Sequence, residues 1–173
     1  MNDGNSPLER ASTFAGLRGL LAGNEHFQCA YVTSDLDRAC EVLGRRFGLG
    51  QFSFLDGDLI GGGKIRVAFA WAGRTMYEII DASGPGGAFY TNRLPTADFA
   101  IRFHHLGFLL PDEAAWSQMK SRFLEDGREV VFETYNPGFM DAIYIDAPEL
   151  GHYLEYIRAE EHGMAFFNAV PGN

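Results

Sequence analysis

Two pairs of residues that could bind a metal ion occur in this sequence with the same internal spacing. Glu78 lies 50 positions after Gln28, and Glu155 lies 50 positions after His105. An amide oxygen, an imidazole and two carboxylates form an oxygen-rich donor set that suits Zn²⁺, Mn²⁺, Fe²⁺, Co²⁺ or Ni²⁺ and leaves positions open for water. Open positions are typical of a catalytic metal, which can polarise a carbonyl group and stabilise an enediolate.

The two pairs belong to a longer internal repeat. The segment 28–35 lies 77 positions before 105–112, and the segment 75–82 lies 77 positions before 152–159. One offset shared by two separate segments argues for a duplicated structural unit. If two such units pair symmetrically, the four side chains could converge on one point.

The neighbours of these residues are apolar. Side chains alternate between the two faces of a strand, so His105 shares its predicted face with Leu109, and Glu155 shares one with Ile157. A carboxylate buried alone in such surroundings would be costly unless it were paired, protonated or bound to a cation. The same feature occurs in both halves, which favours a functional interpretation.

The structural alternative for each single residue is also strong. One histidine or one glutamine at the start of a strand more often packs in a core than binds a metal, and only the joint pattern favours a four-ligand site. Strand alternation turns His104 and His152 away from the predicted ligands. We therefore expect these two histidines to be structural.

Hydrophobic periodicity predicts the order β-α-β-β-β in each half. The first unit has strands at 26–33, 51–55, 64–71 and 75–81 and a helix at 35–47. The second has strands at 102–110, 129–134, 140–146 and 152–158 and a helix at 112–126. The predicted layout is an N-terminal extension (1–25), a first βαβββ unit (26–82), a linker (83–101), a second βαβββ unit (102–158) and a C-terminal tail (159–173).

Composition limits the possible partners. Hydrophobic residues at 46% and aromatic residues at 14% can fill the core of a chain of 173 residues. A formal net charge of −9 argues against binding to nucleic acid or to an anionic membrane. An anionic substrate would need a local basic patch, for which the candidates are Arg45, Arg46, Lys64, Arg66, Arg93 and Arg102.

The cysteines and the apolar segments bear on the compartment. Cys29 and Cys40 are the two cysteines of the chain, and neither lies in a CxxC motif. Two thiols in a chain of this size fit a reducing cytoplasm. We find no apolar run long enough for a membrane span and no signal-peptide pattern.

Three short motifs resemble one known superfamily. They are FHHLGFLLPD at 103–112, GHYLEYI at 151–157 and MYEII at 76–80. Their order and spacing resemble the vicinal oxygen chelate superfamily, which includes glyoxalase I, methylmalonyl-CoA epimerase, extradiol dioxygenases and bleomycin-resistance proteins. The resemblance implies an α+β fold in which two tandem βαβββ units form a curled mixed sheet around a metal-binding cleft, with the helices outside.

The resemblance also implies a site and an activity. Gln28, Glu78, His105 and Glu155 fall on the four metal-ligand positions, in a set similar to that of some glyoxalase I enzymes. It implies an enzyme, a lyase or isomerase, that abstracts a proton next to a carbonyl, with Glu155 first and Glu78 second as the catalytic base. The expected partners are a divalent metal ion, a small thioester, hemithioacetal or other carbonyl substrate, and a second copy of the chain in a homodimer.

Two alternatives remain open within the same superfamily. A ring-cleaving dioxygenase would use Gln28, His105 and Glu155 where the family has two histidines and one glutamate. A bleomycin-resistance type of protein would bind a small molecule without a metal in an aromatic cleft, for which the candidate residues are Tyr31, Phe69, Trp71 and Tyr144. The sequence also departs from the glutathione-binding pattern of glyoxalase I.

Overall fold

The computed structural model describes residues 24–173, so most of the predicted N-terminal extension (1–25) lies outside the described residues. The elements are β1 (Glu25–Thr33), α1 (Leu36–Phe47), β2 (Ser53–Asp58), β3 (Lys64–Ala72), β4 (Thr75–Ala82), α2 (Ala88–Thr91), β5 (Ile101–Leu109), α3 (Glu113–Glu125), β6 (Val130–Asn136), β7 (Met140–Ala147), β8 (His152–Ala159) and α4 (Glu161–Ala169). The predicted repetition of a βαβββ unit is confirmed. No helix within residues 24–173 is long and apolar enough to span a membrane.

Each major helix begins at an aspartate. The Asp35 side chain accepts a hydrogen bond from the backbone N–H of Arg38, and the Asp112 side chain accepts one from Ala115. Such caps satisfy N–H groups that have no partner inside the helix. The two aspartates are 77 positions apart, so the internal repeat includes the start of each helix.

The eight strands form one mixed sheet in the order β2-β3-β4-β1-β5-β8-β7-β6. The central pair, β1 and β5, is antiparallel, while β1 pairs with β4 and β5 pairs with β8 in parallel. The strands β1 to β4 of the first unit correspond to β5 to β8 of the second, and from either edge inwards the corresponding strands follow in the same order. The sheet thus has approximate two-fold symmetry about the β1–β5 pair, and it curls into a half-barrel.

The outer face of the sheet is covered by the two helices that follow the first strand of each unit. α1 packs there through Leu36, Ala39 and Leu43. α3 packs there through Trp116, Met119 and Phe123, which lie in a second cluster with residues of β7 and β8. The face left free by these helices is concave and carries the predicted ligands.

Two further helices occupy the predicted linker and the predicted tail. Tyr90 of α2 and Phe167 of α4 belong to the hydrophobic cluster on the concave face. The ring of Phe89 stacks on Phe132 with centroids 4.4 Å apart. At the other end, Trp71 donates its indole N–H to the carbonyl of Phe167. These helices close the concave face with aromatic side chains.

Candidate metal centre

The predicted ligands lie in two adjacent rows that cross the centre of the sheet. In one row Gln28 of β1 pairs with Gly107 of β5, which pairs with Glu155 of β8. In the other, Glu78 of β4 pairs with Ala30 of β1, which pairs with His105 of β5. Side chains two positions apart on a strand share a face, so both rows present their donors on the concave side.

Each row has a small residue at its centre. Ala30 separates Glu78 from His105, and Gly107 separates Gln28 from Glu155. A Cβ atom on Gly107 would overlap the side-chain oxygen of Gln28 and lie only 2.9 Å from its Cβ. The Gln28 amide therefore rests directly on the backbone of β5. Small central residues let side chains from strands that are not neighbours approach one another.

The structure brings together three of the four predicted ligands. His105 Nε2 lies 3.1 Å from Glu78 Oε2 and 2.9 Å from Glu155 Oε2. The possible ligand atoms of these three residues all lie within 4.8 Å of one another. Gln28 is buried in the row that contains Glu155, with its amide oxygen over Gly107.

Four buried polar atoms at this centre have no hydrogen-bond partner among the described residues: Gln28 Oε1, Glu78 Oε2, His105 Nε2 and Glu155 Oε2. The nitrogen–oxygen distances are short, but neither contact has the geometry of a hydrogen bond, and the single proton that Nε2 can carry would serve at most one of the two carboxylates. Buried polar atoms without partners are rare and costly. Four of them on one patch of sheet fit a bound cation.

The ionisable groups depend on one another. Burial raises the pKa of Glu78, although contact with His105 opposes the change. Burial lowers the pKa of His105, but the carboxylates of Glu155 and Glu78 have the larger combined effect and raise it to about 9. The two buried carboxylates are thus stabilised by a positive charge between them, which either an imidazolium or a metal ion provides.

Comparison with known proteins places the fold. No protein-family model matches the chain, and no curated protein matches it in sequence. Among solved structures, a variant of Streptomyces coelicolor methylmalonyl-CoA epimerase in complex with 2-nitronate-propionyl-CoA superposes with a TM-score of 0.57 at 12% identity, covering 79% of this chain and 95% of that one. Methylmalonyl-CoA epimerase from Mycobacterium tuberculosis gives 0.54 at 14% identity, covering 91% and 97%.

A third similar structure has a different reaction in its name. A triple-substitution variant of 4-hydroxymandelate synthase from Streptomyces coelicolor superposes with a TM-score of 0.52 at 14% identity, covering 79% of this chain and 49% of that one. The chain shares its fold with these three structures. At such identities the similarity establishes the fold alone.

The side chain of His104 does not lie where strand alternation predicts. Ala30 pairs with His105 and the next residue, Tyr31, pairs with Phe103, so His104 is an extra residue in β5. Such a β-bulge interrupts strand alternation. The His104 ring contacts Tyr144 and its Nδ1 lies 2.9 Å from His105 Nδ1. The expectation that alternation turns His104 away is therefore wrong.

The bulge occurs in both halves of the sheet. Alternation of apolar and polar residues along the sequence does not reveal it. Phe27 is the corresponding extra residue in β1, between His26 and Gln28, and it lies 77 positions before His104. His152, by contrast, packs against Phe103 outside the centre, as expected.

Hydrogen bonds fix the tautomer of His105. The carbonyl of Phe89 can only accept, so His104 Nε2, 3.4 Å away, must carry the proton in this contact. Burial, with the charge of His105 as the next cause, lowers the pKa of His104 to about 3, so its ring is neutral and Nδ1 can only accept. His105 therefore donates from Nδ1, so Nε2 is the nitrogen that faces the carboxylates and that would lose its proton to supply a lone pair to a metal ion. This is the form of histidine that binds a metal.

A tyrosine also contacts the centre. The Tyr144 hydroxyl hydrogen-bonds Glu155, and burial together with the charge of Glu155 raises the Tyr144 pKa well above its usual value. Burial likewise raises the pKa of Tyr90, and the charges of Glu155 and Glu78 add to this. Both phenols are therefore neutral, and Tyr144 holds the Glu155 carboxylate in place.

A cavity of about 580 Å³ opens from the centre, and Glu78 and Glu155 are part of its wall. Gln28, His104 and His105 are not among its lining residues, so they lie behind the carboxylates. Phe69 and Tyr144, two of the predicted aromatic residues, line this cavity. The other two do not: Tyr31 stacks with Tyr77 in the cluster beneath α1, and Trp71 packs against Phe27.

Proposed function

We propose that the chain is a metal-dependent enzyme of the isomerase or lyase class that abstracts a proton next to a carbonyl group. Its metal site would comprise Gln28, Glu78, His105 and Glu155. The observation that carries the proposal is the set of four buried donor atoms without hydrogen-bond partners on one patch of the concave face. The fold supports it, because the similar structures include an epimerase.

The donor set fits a divalent cation in charge as well as in type. Two carboxylates balance the charge of such an ion, while the amide of Gln28 and the neutral imidazole of His105 add none. When bound, the ion would polarise a substrate carbonyl and stabilise negative charge on its oxygen. Since Gln28 and His105 lie behind the carboxylates, they serve to hold the ion.

Glu155 is the preferred proton acceptor, followed by Glu78. Both reach the cavity, where a substrate would lie. Glu155 has a second partner in Tyr144, which can orient the carboxylate while it receives a proton and returns it to a neighbouring carbon. For Glu78 the neighbouring groups that shift the pKa are His105 and Glu155, with no tyrosine hydroxyl among them.

A ring-cleaving dioxygenase finds less support. His104 is the one additional histidine beside the centre in the described residues, but its Nδ1 accepts from His105 and its Nε2 donates to Phe89. It is therefore unavailable as a second histidine ligand. In a protein that binds a small molecule without a metal, four buried polar atoms without hydrogen-bond partners would only destabilise the fold.

Two measurements test the proposal. Protein purified without added metal is analysed for elements, and the chelator-treated protein is titrated with Zn²⁺ or Ni²⁺; we expect one ion per chain. The metal-loaded protein is then incubated in D₂O with 2-hydroxyacetophenone, and NMR should show deuterium at the carbon next to the carbonyl.

The matched variant is Glu155→Gln, which keeps an oxygen donor and removes the base. It should lose deuterium exchange, whereas Glu161→Gln on the exposed side of α4 should retain it. Failure of the wild-type chain to bind any of these divalent ions would refute the proposed metal site.

Assembly and compartment complete the proposal. Cys29 and Cys40 form no disulfide in the described part of the chain, which suits a reducing cytoplasm. A homodimer stays a prediction, and light scattering of the purified protein would measure it.

A further inference from the structure

We infer that the substrate of this centre is a compact carbonyl compound whose body is uncharged and apolar, rather than a conjugate of coenzyme A or glutathione. The carbonyl group in this inference rests on the proposed function. The uncharged body rests on the cavity alone.

The cavity wall is apolar on both sides of the centre. The first half contributes side chains such as Leu55, Val67 and Phe69, and the second half contributes Phe132 and Met140. A volume of about 580 Å³ lies within the range of cavities that enclose one small organic molecule. A coenzyme A conjugate would leave most of its length outside.

The wall offers no cation to an anionic group. Within residues 24–173, no lysine, arginine or histidine lines this cavity. Two acidic residues at its edge, Asp56 and Asp58, are paired across β2 and β3 with Arg66 and Lys64, so these two cations are engaged elsewhere. Phosphate and carboxylate groups are recognised in proteins by such cations.

The predicted basic patch is therefore not assembled. Arg93 pairs with Asp146 and lies over the ring of Tyr153, and Arg45 pairs with Glu41 on α1. None of the six basic candidates reaches the cavity wall: Arg45, Arg46, Lys64, Arg66, Arg93 and Arg102.

The polar groups that reach the wall are either acidic or neutral, and Glu133 is a further acidic residue beside Asp56 and Asp58. Thr134, Asn136 and Tyr90 can each exchange a hydrogen bond with a hydroxyl or carbonyl group of a substrate. An anion placed among them would find no cationic partner on the wall and would lie near the carboxylate of Glu133, which would repel it. Together, charge and size select an uncharged aromatic or aliphatic carbonyl compound.

The test uses two probes that differ only at the end remote from the carbonyl. They are 2-hydroxy-1-(4-methylphenyl)ethanone, which is neutral, and 4-(2-hydroxyacetyl)benzoate, which is an anion. Propionyl-CoA is the third probe. Calorimetric titrations of Zn²⁺-loaded and chelator-treated protein should show the neutral probe binding at least about tenfold more tightly than either anion, because a buried unpaired charge is costly.

Paired variants locate the cause. Thr134 pairs with Ala142, a residue of the concave cluster, so Thr134→Lys adds a cation inside the cavity. It should reverse the preference and favour the benzoate. Gln118→Lys adds the same charge to the exposed side of α3 and should leave the preference unchanged.

The outcomes separate this inference from the proposed function. Wild-type protein that binds propionyl-CoA or the benzoate as tightly as the neutral probe, or that does not bind the neutral probe, overturns the substrate class. A separate Zn²⁺ titration reports on the metal site. If Zn²⁺ does not bind, the proposed function fails while the charge preference of the cavity is still measured.

Discussion

The two halves of the sheet share one backbone design and differ in the side chains at its bulge. β1 carries Phe27 and Gln28 there, while β5 carries His104 and His105. Phe27 packs on Trp71 and belongs to the hydrophobic core. His104 instead fixes the hydrogen-bonding state of His105.

The difference follows from the chemistry of the two predicted ligands, Gln28 and His105. An amide oxygen is an acceptor under all conditions. Gln28 therefore requires only space for its side chain, which the absence of a Cβ atom at Gly107 provides. An imidazole binds a metal only through a nitrogen without a proton, so His105 needs a partner that determines which nitrogen carries it. The same duplicated backbone therefore holds the Gln28 side chain by close packing and the His105 side chain by a hydrogen bond.

The largest effect should come from removing the ligands themselves. His105→Ala and Glu155→Ala should each abolish metal binding, because each leaves an incomplete donor set and an unbalanced charge. Elemental analysis and Zn²⁺ titration measure the loss. Wild-type metal content in both purified and folded variants would contradict the four-ligand site.

Exchanging the bulge residues tests the comparison directly. His104→Phe gives β5 the residue type of β1 and should weaken metal affinity by about 10- to 100-fold, as expected for loss of the partner that orients a histidine ligand. Nitrogen NMR of the metal-free protein above pH 9, where the His105 ring is neutral, should show that its Nδ1 is no longer uniformly protonated.

A conservative replacement distinguishes positioning from packing. His104→Asn retains an acceptor and should recover part of the affinity, whereas a purely structural role of His104 predicts no such recovery. The change Phe27→His in the other half is the matched control. Since Gln28 needs no tautomer control, it should affect stability and leave the affinity close to that of the wild type.

The central small residues give a smaller effect. Gly107→Ala places a Cβ against Gln28 and should lower the free energy of unfolding by about 1–3 kcal/mol through overpacking. In a chain that already carries Gln28→Ala, the same change should cost much less, because its steric partner is gone. Chemical denaturation of the four proteins measures the coupling, and strictly additive effects would show that Gln28 does not lie over Gly107.

The sequence was sufficient for the order of elements and for the convergence of three of the four predicted ligand side chains, because apolar alternation and the offset of 77 follow the duplicated backbone. It failed where tertiary context overrode local pattern. Asp56-Gly57 is a dipeptide typical of turns, yet both residues lie inside β2, which extends beyond the predicted strand at 51–55 and in which Asp56 pairs with Arg66 of β3. α2 is a single turn in a Gly- and Pro-rich segment, and the packing of Tyr90 and Phe89 holds it in place.

The smallest effect concerns positions that the two halves use identically. Asp35→Ala and Asp112→Ala each remove a helix cap at the same place in the repeat and should each lower the free energy of unfolding by about 1 kcal/mol. Neither aspartate lies in the centre, so Zn²⁺ affinity should not change. Equal losses, measured by urea denaturation, would show that the two helix caps stabilise their halves to the same extent. Unequal losses would show that the halves have diverged in stability as well as in ligand chemistry.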